Sequence, residues 1–259
     1  MRWRNALAAL LLLLAPLAPL PASPREGGCR GTVHLTIDTG WMDQAEHIAE
    51  VMRRHGVRAT LFVADERTQR GDTALSDSWA PFWRARAAEG HTFASHTLRH
   101  WYFRGDVGTT GVRYVPWGAR EGVVLDREGL CAELRAVDDR LRAMTGRGVE
   151  PIWRAPGGRT TPNALAFAES CGFAHVGWTA NGFLGDELPS DRYPNRALLE
   201  RALRSIRDGE VLVMHWGIRS RREAFALVFE DLIVGLKARG FCFEPLSAPP
   251  PRLLAETKR

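Results

Sequence analysis

Short apolar segments alternate along the chain with stretches whose apolar residues recur every three or four positions, and few architectures accommodate that alternation. Val33 to Asp38 reads as a strand, followed by a helix with Ala45, Ile48, Ala49 and Met52 on one face and Gly56 at its end. Val57 to Val63 is a second strand, Trp79 to Ala88 a helix, and His91 to Ser95 a third strand. Leu130, Leu134, Val137, Leu141 and Met144 make one helical stripe. Pro151 to Ala155, Phe173 to Trp178, Glu210 to His215 and Phe241 to Leu246 read as the later strands. Helices from Pro162 to near Gly172, through Leu199 to Ile206, and through Phe225 to Leu236 separate them. Strands this uniformly apolar are buried on both faces, as in a parallel sheet covered by helices. The expected fold class is α/β, a (β/α)-barrel of about seven parallel strands, with a doubly wound open sheet as the alternative. Trp101 to Val124, rich in Gly and Arg, lacks a period and reads as a long irregular loop.

The polar residues that stand out fall at or just after strand C-termini, the edge where parallel α/β folds build their active sites. Asp38 closes the first strand, within Thr36-Ile37-Asp38-Thr39-Gly40-Trp41. His96 and His100 follow the third, Arg154 ends the fourth, Asn181 and Asp186 follow the fifth, and His215 ends the sixth. Histidines four apart on one helical turn share a face, so the spacing predicts that both imidazoles reach one divalent ion. Asp38 and His215 can divide the two proton transfers that hydrolysis needs. Pro156-Gly157-Gly158 is a rigid and then permissive turn that can hold Arg154 toward Asp38. Each residue also has an ordinary reading: a turn former for Asp38, a packed histidine for His215, a surface cation for Arg154. Their convergence on one rim favours the chemistry.

Arg2 and Arg4 precede an apolar run from Ala6 to Ala18, and small residues follow through Ala22 and Ser23. That order is a secretory leader, expected over residues 1–23, with an uncleaved anchor as the alternative. The run falls short of the roughly 20 residues a membrane span needs, and no second such run exists, so no integral span is expected after leader cleavage. An oxidising compartment permits disulfides, and the four cysteines suggest Cys29 with Cys242 and Cys131 with Cys171. The formal charge of +5 comes from arginines spread along the chain without a basic stripe, which argues against nucleic acid as a partner.

Taken in order, the motifs resemble the polysaccharide deacetylase family, also called the NodB-homology or carbohydrate esterase 4 family. Thr36 to Gly40 is similar to its T-F-D-D-G motif, His96 to His100 to H-[ST]-x-x-H, Arg154 to Gly158 to R-x-P-x-G, and Leu212 to His215 to a leucine-rich strand ending in histidine. A fourth motif falls loosely within Trp178 to Glu187. The resemblance spans Val33 to Leu246 and implies a distorted TIM-like barrel. It implies His96 and His100 as metal ligands, Asp38 as base, His215 as acid, and Arg154 as the residue that orients Asp38. The implied cofactor is a divalent metal, zinc first, with cobalt, nickel or manganese as alternatives. One departure stands out: the family's third ligand is a carboxylate, and Thr39 occupies that position here. Two histidines plus waters can suffice, Asp38 can move onto the metal, or Asp43 or Asp186 can substitute.

Sugar faces stack on aromatic rings, so Trp41, Trp101 and Trp216, each directly after a motif, are expected to bind substrate, whereas Trp153 and Trp178 are assigned to the core. The domain is expected over residues 24–248, with a C-terminal extension over 249–259. The whole reads as an exported metal-dependent deacetylase of a glycan such as peptidoglycan or poly-N-acetylglucosamine. The rivals are an inactive carbohydrate-binding protein on the same scaffold and a deacetylase of a small amide or ester. The partner is the glycan, and the oligomeric state is open.

Overall fold

The computed structural model describes residues 28–250. The expected leader and nearly all of the expected extension lie outside them. Ten strands and six α-helices follow in chain order, and among the described residues no helix is long and apolar enough to cross a membrane.

Seven strands form one parallel sheet. These are β1 (Gly31–Asp38), β2 (Thr60–Val63), β3 (Thr92–Ser95), β7 (Ile152–Trp153), β8 (Ala174–His175), β9 (Val211–His215) and β10 (Phe241–Phe243). The order is β10-β1-β2-β3-β7-β8, with β9 on the other edge of β1. Past β8 the chain turns back toward β9: Thr179 N–H reaches the Val211 carbonyl, and Phe183 bridges Val213. The sheet therefore curls into the expected barrel rather than an open doubly wound sheet. Leu35, Ile37, Leu61, Phe93 and Leu212 are buried, as a sheet covered on both faces requires.

Helices α1 (Ala45–Arg54), α2 (Ala80–Ala88), α3 (Arg127–Thr145), α4 (Pro162–Ser170), α5 (Asn195–Ser205) and α6 (Phe229–Ala238) alternate with the sheet strands. In α1 the stripe Ala45, Ile48, Ala49 and Met52 is buried, as its spacing predicts. Asp126 caps α3 by accepting from Gly129 N–H at 2.8 Å, and Gly146, at φ 75°, ends it in the left-handed conformation that costs other residues more.

Three local corrections matter. Trp101 to Val124 is not an irregular loop: it carries an antiparallel sheet of β4 (Tyr102–Val107), β5 (Gly111–Val115) and β6 (Val123–Leu125). Phe103, Val112 and Tyr114 are buried, with Arg104 and Arg113 exposed beside them, but a register shift between Phe103 and Gly105 and the buried Gly111 and Val115 break the alternation that would have betrayed the strands. The fourth and fifth sheet strands are also shorter than expected, only two residues each. Finally, His96 to His100 is not a helical turn but an irregular bend after β3.

Both expected disulfides form, Cys29–Cys242 and Cys131–Cys171, with Cα atoms 5.6 and 5.8 Å apart. The first locks the start of β1 onto β10, where Thr32 pairs with Cys242. The second clasps α3 to the end of α4. Replacing both Cys29 and Cys242 with Ser is expected to cost about 2–5 kcal/mol, because that bridge closes a very long loop. Urea denaturation against the parent protein measures it.

Candidate active site

Strand register assembles the site. Asp38 lies opposite His215 on β9 and opposite Phe62 on β2, Val63 opposite Ser95, and Ser95 opposite Trp153. The residues at or just past that line are Asp38, His215, His96 and Arg154, so parallel pairing alone brings four separated positions to one rim. All but Arg154 line a cavity of about 50 Å³, together with His100, Tyr102 and Trp178, among others. About 10–15 Å³ of such space admits one water, so this cavity has room for water and a small acyl group.

Arg154 is fully buried and crosses the barrel mouth. Its Nη1 donates to Asp38 Oδ1 at 2.6 Å and to Thr36 Oγ1 at 2.8 Å. Its Nε donates to the Val176 carbonyl at 3.1 Å and its Nη2 to the Gly177 carbonyl at 2.8 Å. The guanidinium also lies 4.0 Å over the Phe62 ring. Burial pulls its pKa down while Asp38 pushes it back up, and an arginine so placed stays charged. Asp38 Oδ1 is thereby fixed, and Oδ2 is turned toward His96 Nε2, 3.5 Å away.

The two histidines meet through a strained bend. Thr97 and His100 have φ of 62° and 53°, a region residues other than glycine rarely adopt, the β-branched threonine least of all. Tyr114 and Glu133 hold the bend in place. The Tyr114 hydroxyl donates to Thr97 Oγ1 at 2.8 Å and accepts from Trp101 N–H, while Glu133 accepts from Arg99 N–H and Nε. His96 Nδ1 lies 2.9 Å from the Arg154 carbonyl, an acceptor only, so Nδ1 carries the hydrogen and Nε2 presents a lone pair. Burial, reinforced by His100, pushes the His96 pKa well below its ordinary value and keeps the ring neutral. His100 Nδ1 faces Glu66 Oε1 at 3.0 Å, which turns its Nε2 inward toward His96. The two Nε2 atoms are 3.1 Å apart, where two lone pairs repel unless a proton or a cation lies between them. Nitrogens sharing one tetrahedral zinc ion stand about 3.3 Å apart, so the pair fits a divalent metal. Among the described residues no group of three or more His, Cys, Asp or Glu side chains is arranged to hold a metal. The nitrogen donors the cavity offers such an ion are these two imidazoles, with Asp38 Oδ2 3.5 Å from one of them.

Thr39 does not join them: its hydroxyl accepts from Ala64 N–H at 3.2 Å and ties β1 to the end of β2. Asp186 is committed to His215, taking its backbone N–H at 2.7 Å and standing 3.2 Å from Nδ1. Asp43 packs against Gly217 and, with Asp186, lines a separate small cavity behind His215. Asn181 turns away to Glu210. The residue that spacing gave no reason to single out is Glu66, three positions past β2, whose second oxygen is buried without a hydrogen-bond partner. Its only sequence signal is its place after a strand end.

The aromatic assignments need correction. Trp216 is fully buried among Phe82 and Trp83 and cannot touch substrate. Trp101 packs on Tyr114 under Arg99, and Trp41 lies beneath Arg219, and neither lines the cavity. Trp178, assigned to the core, does line it, as does Tyr102. The two glycines after Pro156 explain why. At Gly157 a Cβ would come within 2.5 Å of the Tyr102 ring, and at Gly158 within 2.5 Å of the Trp178 ring. Both also have positive φ, 62° and 68°, which glycine adopts without strain. Trp153 is in the core, as expected.

Comparison with known proteins agrees with this fold. The family model described as polysaccharide deacetylase matches residues 25–176, more than half of the chain, including Asp38, His96, His100 and Arg154. A chitooligosaccharide deacetylase of Sinorhizobium fredii is 26% identical over 233 residues, covering 86% of this chain and 94% of the relative. Among solved structures, a family 4 carbohydrate esterase from Streptomyces lividans in complex with acetate superposes with a TM-score of 0.62 at 19% identity, over 86% of this chain and all of that one. A family 4 pseudoenzyme from Bacillus anthracis gives 0.62 at 18% identity, over 87% and 66%. At such identities the structural likeness carries the fold alone.

His215 is the group whose titration reports on this geometry. Burial pulls its pKa down, but Asp186, with Asp38 and Glu187 beyond, raises it to about 10. A raised histidine pKa adds stability that is fully present below the ordinary value near 6.5 and is lost as pH climbs through about 10. In metal-free protein, NMR titration of the ring should therefore place its deprotonation near pH 10. Asp186→Asn should move it back toward the ordinary histidine range.

Proposed function

The chain belongs to the polysaccharide deacetylase family, and from that premise we propose that it is an exported, metal-dependent hydrolase that removes N-acetyl groups from a glycan. The observation that carries this reading is the convergence of Asp38, His96, His100 and His215 on one small cavity, with Arg154 locked behind Asp38. His96 and His100 would hold the metal, and Glu66 orients His100 through Nδ1, the support a ligating imidazole ordinarily has. A divalent ion there supplies a Lewis acid that polarises the amide carbonyl and acidifies water.

The side chains then divide the proton transfers. Asp38, its Oδ1 occupied by Arg154, uses Oδ2 to take a proton from water as the water oxygen bonds to the carbonyl carbon. His215, kept protonated by Asp186, gives its proton to the amine nitrogen as the C–N bond breaks. Acetate and a free amino sugar result, and proton return from Asp38 to His215 through solvent resets the pair. Trp178 and Tyr102 flank the cavity and offer flat faces to a sugar ring. Two disulfides and no free cysteine among the described residues suit an oxidising compartment, in keeping with the leader-like N-terminus.

The second reading, a glycan-binding protein without turnover, is favoured by one observation: Thr39 brings no carboxylate to the histidines. Zinc- or cobalt-loaded protein should release acetate from N-acetylglucosamine oligomers, and chelated protein should not. His96→Ala should lower the rate at least about a hundredfold, and Glu66→Gln should weaken metal affinity about 10–100-fold by calorimetry. Glycan binding with no acetate release under any of these metals would instead support the second reading.

A further inference from the structure

Beyond the catalytic cavity the cleft continues as a groove of about 750 Å³, lined by Tyr102, Arg104, Trp117, Gly157, Arg159 and Glu187, among others. It shares Tyr102, Gly157 and Glu187 with the cavity, so one extended chain can occupy both. The unexpected antiparallel sheet builds its wall: Tyr102 opens β4 and Trp117 follows β5. Trp117 is 77% exposed and its ring lies 5.1 Å from that of Tyr102, tilted by 44°. Gly157 is what lets the Tyr102 ring settle there, since a Cβ would collide with it. A large aromatic held open to water beside a cavity is poor core and good platform for an apolar sugar face.

Two arginines frame that platform. Arg104 stands 5.2 Å over the Tyr102 ring, and Arg159 follows the glycine turn. Both are exposed, and among the described residues neither meets a carboxylate. Some exposed arginines elsewhere do meet a carboxylate, as Arg53 meets Glu50, Arg142 Asp138 and Arg196 Glu200. Glu187 is the single carboxylate of the groove, and it sits at the catalytic end, where it also lines the cavity. The outer groove therefore carries two uncompensated guanidiniums beside a stacking surface.

We propose that this groove binds a carboxylate-bearing sugar next to the N-acetylated unit in the cavity, so that the preferred glycan is acidic. Tyr102 and Trp117 take the ring face, and Arg104 and Arg159 take the carboxylate by charge-assisted hydrogen bonds. This inference rests on the deacetylase reading for its catalytic arm but not for its binding arm.

The test compares oligosaccharides of equal length, one of alternating N-acetylglucosamine and glucuronate, the other of N-acetylglucosamine alone, on zinc-loaded protein. At low salt kcat/KM is expected to favour the acidic substrate about tenfold, and the preference should shrink as ionic strength rises. The double variant Arg104→Gln, Arg159→Gln should bring the ratio to about one. A phosphorylated sugar of the same length, used as competitor, separates carboxylate recognition from attraction to any anion. Equal turnover of the two substrates, or a preference untouched by the double variant, overturns the acidic groove and leaves the deacetylase reading standing. Salt-dependent binding of the acidic oligosaccharide that the double variant abolishes, with no acetate released from either substrate, supports the groove and sinks the deacetylase reading. Stronger competition by the phosphorylated sugar overturns the carboxylate.

Discussion

The site depends on one buried ion pair. Arg154 and Asp38 are both taken out of water, and desolvating two charges costs several kcal/mol apiece, so the pair is poor evidence for stability. Its geometry nevertheless leaves little freedom. Four hydrogen bonds spread the guanidinium over β1 and the turn after β8, joining opposite sides of the barrel mouth. Asp38 is left with one oxygen tied and one free, and the Arg154 carbonyl fixes the tautomer of His96. A single residue thus orients both the carboxylate and one imidazole. Lysine, with no planar fork, cannot do the same.

Around that pair, local strain is placed where the chemistry is and supported from β5 and α3. Thr97 and His100 sit in the left-handed region because β3 must deliver two imidazoles to one point within five residues. A helical turn would do so without strain, but the bend leaves room for Leu98 to hydrogen-bond Asp65 and Glu133 on either side. Tyr114, buried beside Glu133, holds the bend from β5. The antiparallel sheet is therefore part of the site, since it carries the clamp on its inner face and Tyr102 at the cavity.

Much of this was legible in the sequence. The strand-helix alternation is a property of burial, and parallel register turns strand ends into a rim, so Asp38, His96, His100, Arg154 and His215 could be grouped before any contact was known. The disulfide partners followed from the same closure. Contacts that depend on side-chain direction were hidden. Trp216 and Trp178 each adjoin a motif, and only the backbone turns after β9 and β8 decide that one faces the core and the other the cavity. Glu66 has no motif, because its partner is a single nitrogen of His100. The register shift near Gly105 and the broken alternation of its strands concealed the antiparallel sheet.

Thr39 is the point on which function turns. Its hydroxyl is spent on Ala64, Asp186 is spent on His215, and Asp43 lies behind that histidine, so none of the three substitutes for a third ligand. What remains is a neutral His96, a His100 braced by Glu66, and their two Nε2 atoms 3.1 Å apart. X-ray absorption at the zinc edge of stoichiometrically loaded protein tests that directly. Two imidazole nitrogens with oxygen completing the shell are expected, falling to one imidazole in His100→Ala. Failure to retain zinc, or a shell without imidazole, would contradict it.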